Sequence, residues 1–207
     1  MNIYVESNFV LELALSQAQS QSCENILALC ESGQVGLLLP AFCVVEPYDT
    51  LVRRAKNRKE LIRKLDLEFN QLSRTPVYTT QLAPLQDVSR LLTQSSIDEE
   101  QNLYKTLDRI LKVCETIPVV PEILRAAAIF REKPLELSVQ DSIVYASVVH
   151  HLNIYNTNQK CFLNRNSRDF NQPDIQMMLN SHNCKLIFNF EKGYNYIISF
   201  ATALDSN

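Results

Sequence analysis

One short segment, Val35–Leu39, restricts what this chain can fold into more than any other. It is apolar throughout, and Pro40 follows it directly. An unbroken apolar run is typical of a strand that is covered on both faces, as in a parallel sheet. A β-prone run, Asn2–Val5, precedes it, and two helical patterns lie between the two runs. This order of strand, helix, helix and strand indicates an α/β fold.

The rest of the chain continues the alternation of helices and strands. Ser7 offers an N-cap for the first helix, and Gly33 offers a stop for the second. Later patterns predict a helix at 46–72, a break at 75–80, short helices at 85–92 and 103–114, a strand at 117–120, helices at 122–131 and 139–151, a strand at 161–163, a polar loop at 164–173, a helix at 175–179 and a strand at 185–190. We therefore predict one domain over residues 1–207 with helices on both faces of a mainly parallel sheet, which is a three-layer α/β/α sandwich, and a helical insertion at about 53–115.

Composition argues against several classes of protein. Lysine and arginine total 20 against 23 acidic residues, so the chain lacks the overall positive charge of many nucleic-acid binders, although a local basic patch is compatible with it. Only three glycines occur, and neither GxGxxG nor GxxxxGK[ST] can be written. Gly-Xaa-Ser-Xaa-Gly is absent as well, which argues against an α/β-hydrolase.

The sequence also predicts where the protein resides. The first residues lack the basic and apolar regions of a signal peptide, and the longest apolar stretch, Val35–Val45, is too short to span a bilayer. The six cysteines form no Cys-Xaa-Xaa-Cys pair, which favours small buried thiols over a disulfide framework or a zinc site. We expect a cytoplasmic protein with no membrane segment.

Four acidic residues follow predicted strands or open predicted helices. Glu6 comes directly after the first strand, and Glu46 opens the helix that follows the second. Asp141 lies in the first turn of the helix at 139–151, and Asp169 lies in the loop after the strand at 161–163. Because sites in open α/β sheets form at the carboxyl ends of strands, these four carboxylates are expected to converge.

Each acid also has a simpler structural interpretation. Glu6 could be an exposed acid at a strand end, and Glu46 could only complement the helix dipole. Asp141 fits the capping box that Ser138 begins, and Asp169 could form an Asx turn. The functional interpretation rests on the four acids occurring together at one edge of one predicted sheet.

Converging carboxylates repel one another, so their cluster is costly without a cation. Hard divalent cations prefer oxygen ligands, and Mg²⁺ or Mn²⁺ suits a few carboxylates together with waters and a substrate phosphate. One or two such ions would activate water in the hydrolysis of a phosphodiester bond, and neither a histidine nor a lysine is then needed as the base. The sequence therefore predicts a magnesium or manganese site.

Four motifs resemble those of PIN-domain proteins, a family of metal-dependent nucleases that includes toxin ribonucleases of bacterial toxin–antitoxin pairs. The motifs are Ile3-Tyr4-Val5-Glu6-Ser7-Asn8, Val44-Val45-Glu46, Leu137-Ser138-Val139-Gln140-Asp141-Ser142-Ile143-Val144-Tyr145-Ala146, and Phe162-Leu163-Asn164-Arg165-Asn166-Ser167-Arg168-Asp169-Phe170. The family usually has Asp where Glu6 stands and Thr or Ser where Asn164 stands, and the insertion here is longer than in the compact toxins.

The resemblance implies a PIN-like fold and an endoribonuclease that uses Mg²⁺ or Mn²⁺. It implies that Glu6, Glu46, Asp141 and Asp169 bind the metal and act in catalysis, with Asn8 and Asn166 as supporting polar residues. RNA is the implied substrate, homodimers are frequent, and in toxin-type members a small antitoxin protein blocks the site. The alternative is a catalytically silent PIN-like module that binds RNA or a protein partner, an interpretation that Glu6 and the long insertion favour.

Basic residues crowd one segment of the predicted helix at 46–72, from Arg53 to Lys64, in which only Glu60 opposes them. One interpretation is a solvated helix face, and the other is a ridge that contacts RNA phosphates beside the acidic site. The residues of the candidate RNA-binding ridge are Arg53, Arg54, Lys56, Arg58 and Lys59, followed by Arg63 and Lys64.

Overall fold

The computed structural model describes residues 1–132, 134–155 and 159–204, and it describes side chains in these ranges except at 79–81, 83–86 and 201–204. In this part of the chain, five parallel strands form one sheet in the order β3-β2-β1-β4-β5. The strands are β1 (Asn2–Val5), β2 (Gly36–Pro40), β3 (Cys114–Ile117), β4 (Lys160–Leu163) and β5 (Cys184–Ile187). The α/β prediction with a mainly parallel sheet is therefore confirmed.

Burial explains which strands the sequence reveals. The three central strands β1, β2 and β4 are almost entirely buried, and they fall within one or two residues of their predictions. The predicted strand at 117–120 is wrong, because β3 is an edge strand that begins directly after a helix and has two exposed residues, Glu115 and Thr116. The predicted strand at 185–190 ends too late, since a helix begins at Phe190.

Helices cover both faces of the sheet. On one face α1, α2 and α9 pack together, and on the other α5 and α6 pack against each other, with α6 contacting β2 and β3. The helices are α1 (Ser7–Ala14), α2 (Ser20–Glu31), α3 (Val45–Leu72), α4 (Pro76–Val113), α5 (Pro121–Phe130), α6 (Val139–Ile154), α7 (Ser167–Phe170), α8 (Pro173–Ser181) and α9 (Phe190–Leu204), and a 3₁₀ helix spans Ala41–Val44. The sheet with helices on both faces is a three-layer α/β/α arrangement. The assignment of residues 1–207 to one domain stays a prediction.

Three helical segments differ from the prediction. The two short helices expected at 85–92 and 103–114 are parts of one continuous helix, α4, which Pro76 opens. Residues 93–102 are mostly polar, but they contain no glycine or proline, so the helix continues through them. The loop at 164–173 contains the short helix α7, and α9 was not predicted, although Asn189 accepts a hydrogen bond from the Lys192 backbone N–H as an N-cap would.

Two glycines have clear roles. Gly33 has a φ of +75° just after α2 and ends that helix, as predicted. Gly193 lies in α9, where a Cβ atom would come within 2.7 Å of a Leu163 methyl group. The missing side chain therefore allows α9 to pack closely on the end of β4.

The predicted insertion contains most of α3, all of α4 and the start of β3. The two helices form a hairpin, and the last part of α4 packs on the body through the buried residues Leu103, Leu107 and Ile110. In α3 only Pro47 and Leu51, near its start, are buried. No helix in the described part of the chain is both long and apolar enough to cross a bilayer.

Candidate metal centre

The carboxyl ends of the strands carry the acids that the sequence predicted to converge. Glu6 follows β1, Glu46 lies in the first turn of α3, Asp141 in the first turn of α6, and Asp169 in α7 after β4. A cleft of about 230 Å³ opens there. It is lined by Glu6, Asn8, Glu46, Gln140, Asp141, Val144, Asn164 and Asn166. The structure thus brings three of the four acids into one cleft, together with both predicted supporting residues.

Glu6 is buried, with 6% of its surface exposed, and so it is not an exposed acid at a strand end. Its Oε1 accepts hydrogen bonds from the Asn8 amide at 2.6 Å and the Arg165 backbone N–H at 3.3 Å. Its Oε2 accepts from the Ser7 hydroxyl at 3.0 Å and the Asn8 backbone N–H at 3.2 Å. A carboxylate has about four lone-pair positions, so these donors occupy all of them. Glu6, rather than the predicted Ser7, is the N-cap of α1.

Burial raises the pKa of Glu6, and the hydrogen bonds from Asn8, Ser7 and Arg165 oppose that shift only in part. The Ser7 hydroxyl also contacts Oε2 of Glu46. A hydroxyl has one proton and can donate to only one of two carboxylates at a time. Two carboxylates that share one hydroxyl repel each other, and a cation between them would relieve that repulsion.

The thiol of Cys43 lies close enough to the acids of the cleft to be affected by their negative charge. Cys43 is buried in the 3₁₀ helix, and the Ser7 backbone N–H donates to it. Burial raises the pKa of this thiol well above its usual range, and the carboxylates of Glu6, Glu46 and Asp141 raise it further. Three acids from three separate segments therefore act on one buried point below the cleft.

Asp141 and Asp169 are joined by an amide rather than by a hydroxyl. The Asn166 side-chain amide donates to Oδ1 of Asp141 at 3.2 Å and to Oδ2 of Asp169 at 2.8 Å. Ser138 caps α6 by accepting from the Asp141 backbone N–H at 3.1 Å, and its hydroxyl donates to Oδ2 of Asp141 at 2.6 Å. The capping interpretation of Asp141 is therefore correct, and the same side chain also faces the cleft.

The loop between β4 and α7 links the acids and is anchored by an ion pair whose acid is buried and whose arginine exposes 39% of its side chain. Arg165 forms this pair with Glu12 of α1, which is fully buried and also accepts from the Gln19 backbone N–H at 2.8 Å. The adjoining Asn164 side chain accepts from the Asn166 backbone N–H at 2.7 Å. Sequence reasoning missed the role of Glu12; its position among the apolar residues of α1 was the available signal.

A family model described as the PIN domain matches residues 3–170 of the 207-residue chain. The chain belongs to the PIN-domain family. PIN domains are generally nucleases and typically use divalent metal ions. No curated protein and no solved structure matched the chain.

The side chains of this PIN domain suit a hydrated cation better than a fully dehydrated one. In the described ranges no three acidic, histidine or cysteine residues form a ready-made metal cluster. Glu6 has its oxygens occupied, whereas Glu46 and Asp141 bring carboxylates to a cleft with no basic lining residue. Mg²⁺ keeps several waters and binds through one or two carboxylates. The donor set, with its need for extra positive charge, therefore fits Mg²⁺ or Mn²⁺.

The predicted basic ridge of the PIN domain does not form one surface. Arg54 and Arg58 turn toward α4 and pair with Glu99, with Arg58 making two hydrogen bonds of 2.9 and 2.6 Å. Arg53 lies seven residues after Glu46 and shares its helix face, whereas Lys56 and Lys59 lie on another. Within two turns of Glu46, Arg53 is the ridge residue on the same side of the helix.

Proposed function

We propose that this PIN domain is an endoribonuclease that hydrolyses RNA phosphodiester bonds with Mg²⁺ or Mn²⁺. The observation that carries the proposal is the pair of carboxyl groups, Glu6 and Glu46, that share the single hydroxyl of Ser7 in a cleft also lined by Asp141. Added positive charge stabilises such an arrangement, and a divalent cation would supply it. When bound, the cation activates water and stabilises the leaving oxygen.

The residues would divide the work by their surroundings. Glu46 and Asp141 would hold the cation directly, because their carboxylates line the cleft with oxygens that protein donors do not fill. Glu6 would act through water or after releasing one of its donors. Asn166 would hold the carboxylates of Asp141 and Asp169 in position through its two hydrogen bonds, and Asn8 would do the same for Glu6. An antitoxin partner and a homodimer remain proposals that follow from family membership.

A second candidate function is a catalytically silent module that binds RNA or a protein. The observation that favours it is the near-complete occupation of the Glu6 oxygens, by three protein N–H donors and the shared Ser7 hydroxyl, since a ligand needs a free lone pair. Glu6 also has one methylene more than aspartate, which moves its carboxylate. Affinity for Mn²⁺ distinguishes the two functions, because a silent module has no need to bind the cation.

The test is cleavage of labelled single-stranded RNA by the full chain with Mn²⁺, with Mg²⁺ and with EDTA. Asp141→Asn is the test variant, and Asp174→Asn is its matched control, because Asp174 also lies in the first turn of a helix but is exposed and does not line the cleft. We expect metal-dependent cleavage by the parent and the control, and a loss of about a hundredfold or more in Asp141→Asn.

The outcomes separate the candidates. Cleavage that persists in Asp141→Asn at the parental rate would point to a contaminating nuclease and would remove the proposal. RNA binding without cleavage, and without Mn²⁺ affinity, would favour the silent module. In that case Glu6→Asp is the variant to make, since it restores the residue usual in the family.

A further inference from the structure

A second concave site lies at the outer edge of the sheet, between β5 and α9. It has a volume of about 350 Å³. Two lysines, two aromatic rings and one amide line it, at Lys185, Phe188, Asn189, Lys192 and Tyr196, together with Leu186 and Ile187. We refer to this site as the β5–α9 pocket.

The β5–α9 pocket is positively charged in a protein whose net charge is −3. No acidic side chain lines it, and within the described residues neither Lys185 nor Lys192 forms a salt bridge. The Lys185 ammonium lies 4.5 Å from the centre of the Tyr196 ring. This cation–π contact holds an otherwise flexible side chain in place and so reduces the entropy lost when an anion binds.

The pocket also lies near the metal centre. The Asn164 backbone N–H donates to the Ile187 carbonyl at 3.1 Å, and Asn164 lines the acidic cleft while Ile187 lines the β5–α9 pocket. The sheet order places β4 between β1 and β5. Neighbouring strands are about 4.8 Å apart, so the end of β5 lies about 10 Å from the end of β1, which precedes Glu6.

We propose that the β5–α9 pocket binds phosphates of the RNA strand on one side of the cleavage site, with Lys185 and Lys192 as the contacting residues. This inference rests on the proposed function, because it takes RNA as the ligand of the acidic cleft. The pocket suits this role better than the basic ridge of α3, where Arg54 and Arg58 share Glu99 and where Glu60 and Asp66 line the same groove as the remaining lysines. Its lysines contact the backbone and carry no sequence preference.

The test is RNA binding by the full chain in EDTA, measured by fluorescence anisotropy with a labelled single-stranded RNA across a salt series. Lys185→Ala/Lys192→Ala is the test variant, and Lys105→Ala/Lys112→Ala is the matched control, because it removes the same charge from exposed positions in the last part of α4, which leads into the start of β3 and not to the carboxyl edge of the sheet. Each phosphate contact contributes about 0.7 to the salt slope for single strands, so the test variant is expected to lose about 1.4 in slope and about tenfold in affinity. The control variant is expected to bind as the parent does.

Tyr196 supplies a second, independent variant pair. Tyr196→Phe keeps the ring under Lys185, whereas Tyr196→Leu removes it. We expect Tyr196→Phe to bind RNA as the parent does and Tyr196→Leu to bind several-fold more weakly. Thermal unfolding of each variant shows whether it is folded at the assay temperature.

Three results would overturn the inference. The first is parental RNA affinity in Lys185→Ala/Lys192→Ala, and the second is an equal loss of RNA affinity in Lys105→Ala/Lys112→Ala. The third is displacement of RNA by polyglutamate at an equal concentration of charge, which would identify the pocket as a site for an acidic peptide. The binding assay contains no metal, whereas the cleavage assay depends on metal. A chain that binds RNA through the two lysines but does not cleave it would therefore contradict the proposed function and leave this inference standing.

Discussion

At the carboxyl edge of the sheet, the carboxylates of Glu6 and Glu12 are buried and accept hydrogen bonds from protein donors, whereas on the α3–α4 hairpin both members of each ion pair keep contact with water. Glu12 is fully buried and is held by Arg165 and the Gln19 backbone. On the hairpin, Arg58 and Glu99 each expose 17% of their side chains, and Arg54 shares the same carboxylate. The sheet edge therefore depends on each individual contact, while the hairpin can lose one contact and keep another.

Arg165→Met is expected to have the largest effect on stability. It leaves the Glu12 carboxylate buried with the Gln19 backbone N–H as its remaining hydrogen-bond donor in the described residues. Breaking one partner of a buried pair costs about 3 kcal/mol in free energy of unfolding, measured by urea denaturation. Adding Glu12→Gln should recover part of the loss, because a neutral amide is cheaper to bury than a charge.

The control is Arg168→Met, which removes an exposed arginine from α7 three residues away. It is expected to change stability by less than about 0.5 kcal/mol. Equal losses in the two variants would contradict the view that the sheet edge depends on the Glu12–Arg165 pair.

Gly193→Ala is expected to have the next largest effect. The new methyl group would lie 2.7 Å from a Leu163 methyl, at the end of the strand that precedes Asn164. Overpacking of this kind costs about 2 kcal/mol. In a double-mutant cycle with Leu163→Val, which shortens the facing side chain, the cost of Gly193→Ala should fall by about half. An additive cycle would show that α9 and β4 move apart without strain.

The sheet edge was also the more predictable region from sequence. Apolar runs identify strands that are covered on both faces, and Glu6, Glu46 and Asp141 follow such strands or open helices, so their convergence follows from the topology. The partners Ser7 and Arg165 were not assigned to this site, because such contacts depend on side-chain positions across 39 and 153 residues of chain.

The hairpin was less predictable, because most of its surface faces water and its apolar residues do not have to follow the spacing of a buried helix face. A helix packed on one neighbour can carry apolar residues on exposed faces, as at Val52 and Leu91. The count of basic residues on α3 was correct, but the sequence did not show that two of them pair with Glu99. The clustering of basic residues in the sequence therefore predicted one basic surface, whereas in the fold these residues lie on different faces of α3.

Arg58→Met should be milder than Arg165→Met. Glu99 keeps Arg54 at 3.1 Å and remains partly hydrated, so the expected loss is about 1 kcal/mol at low salt. Because both members of this pair keep some contact with water, the loss should shrink as ionic strength rises, whereas that of Arg165→Met should change less, since the Glu12 carboxylate that it leaves unpaired is fully buried. Urea denaturation of both variants at two salt concentrations makes this comparison. A salt-independent loss of several kcal/mol in Arg58→Met would show that the hairpin pair is as critical as the buried one.

Leu67→Ser should have the smallest effect, because 61% of Leu67 is exposed. A change within about 0.5 kcal/mol is expected for the free energy of unfolding. Leu107→Ser is the matched control at the buried base of α4, and it should cost about 3 kcal/mol or more, since it removes apolar volume and buries a hydroxyl. The measurement is repeated at several protein concentrations. A loss in Leu67→Ser that grows with concentration would show that a second copy covers the hairpin in solution, and the exposed apolar residues would then belong to a dimer interface.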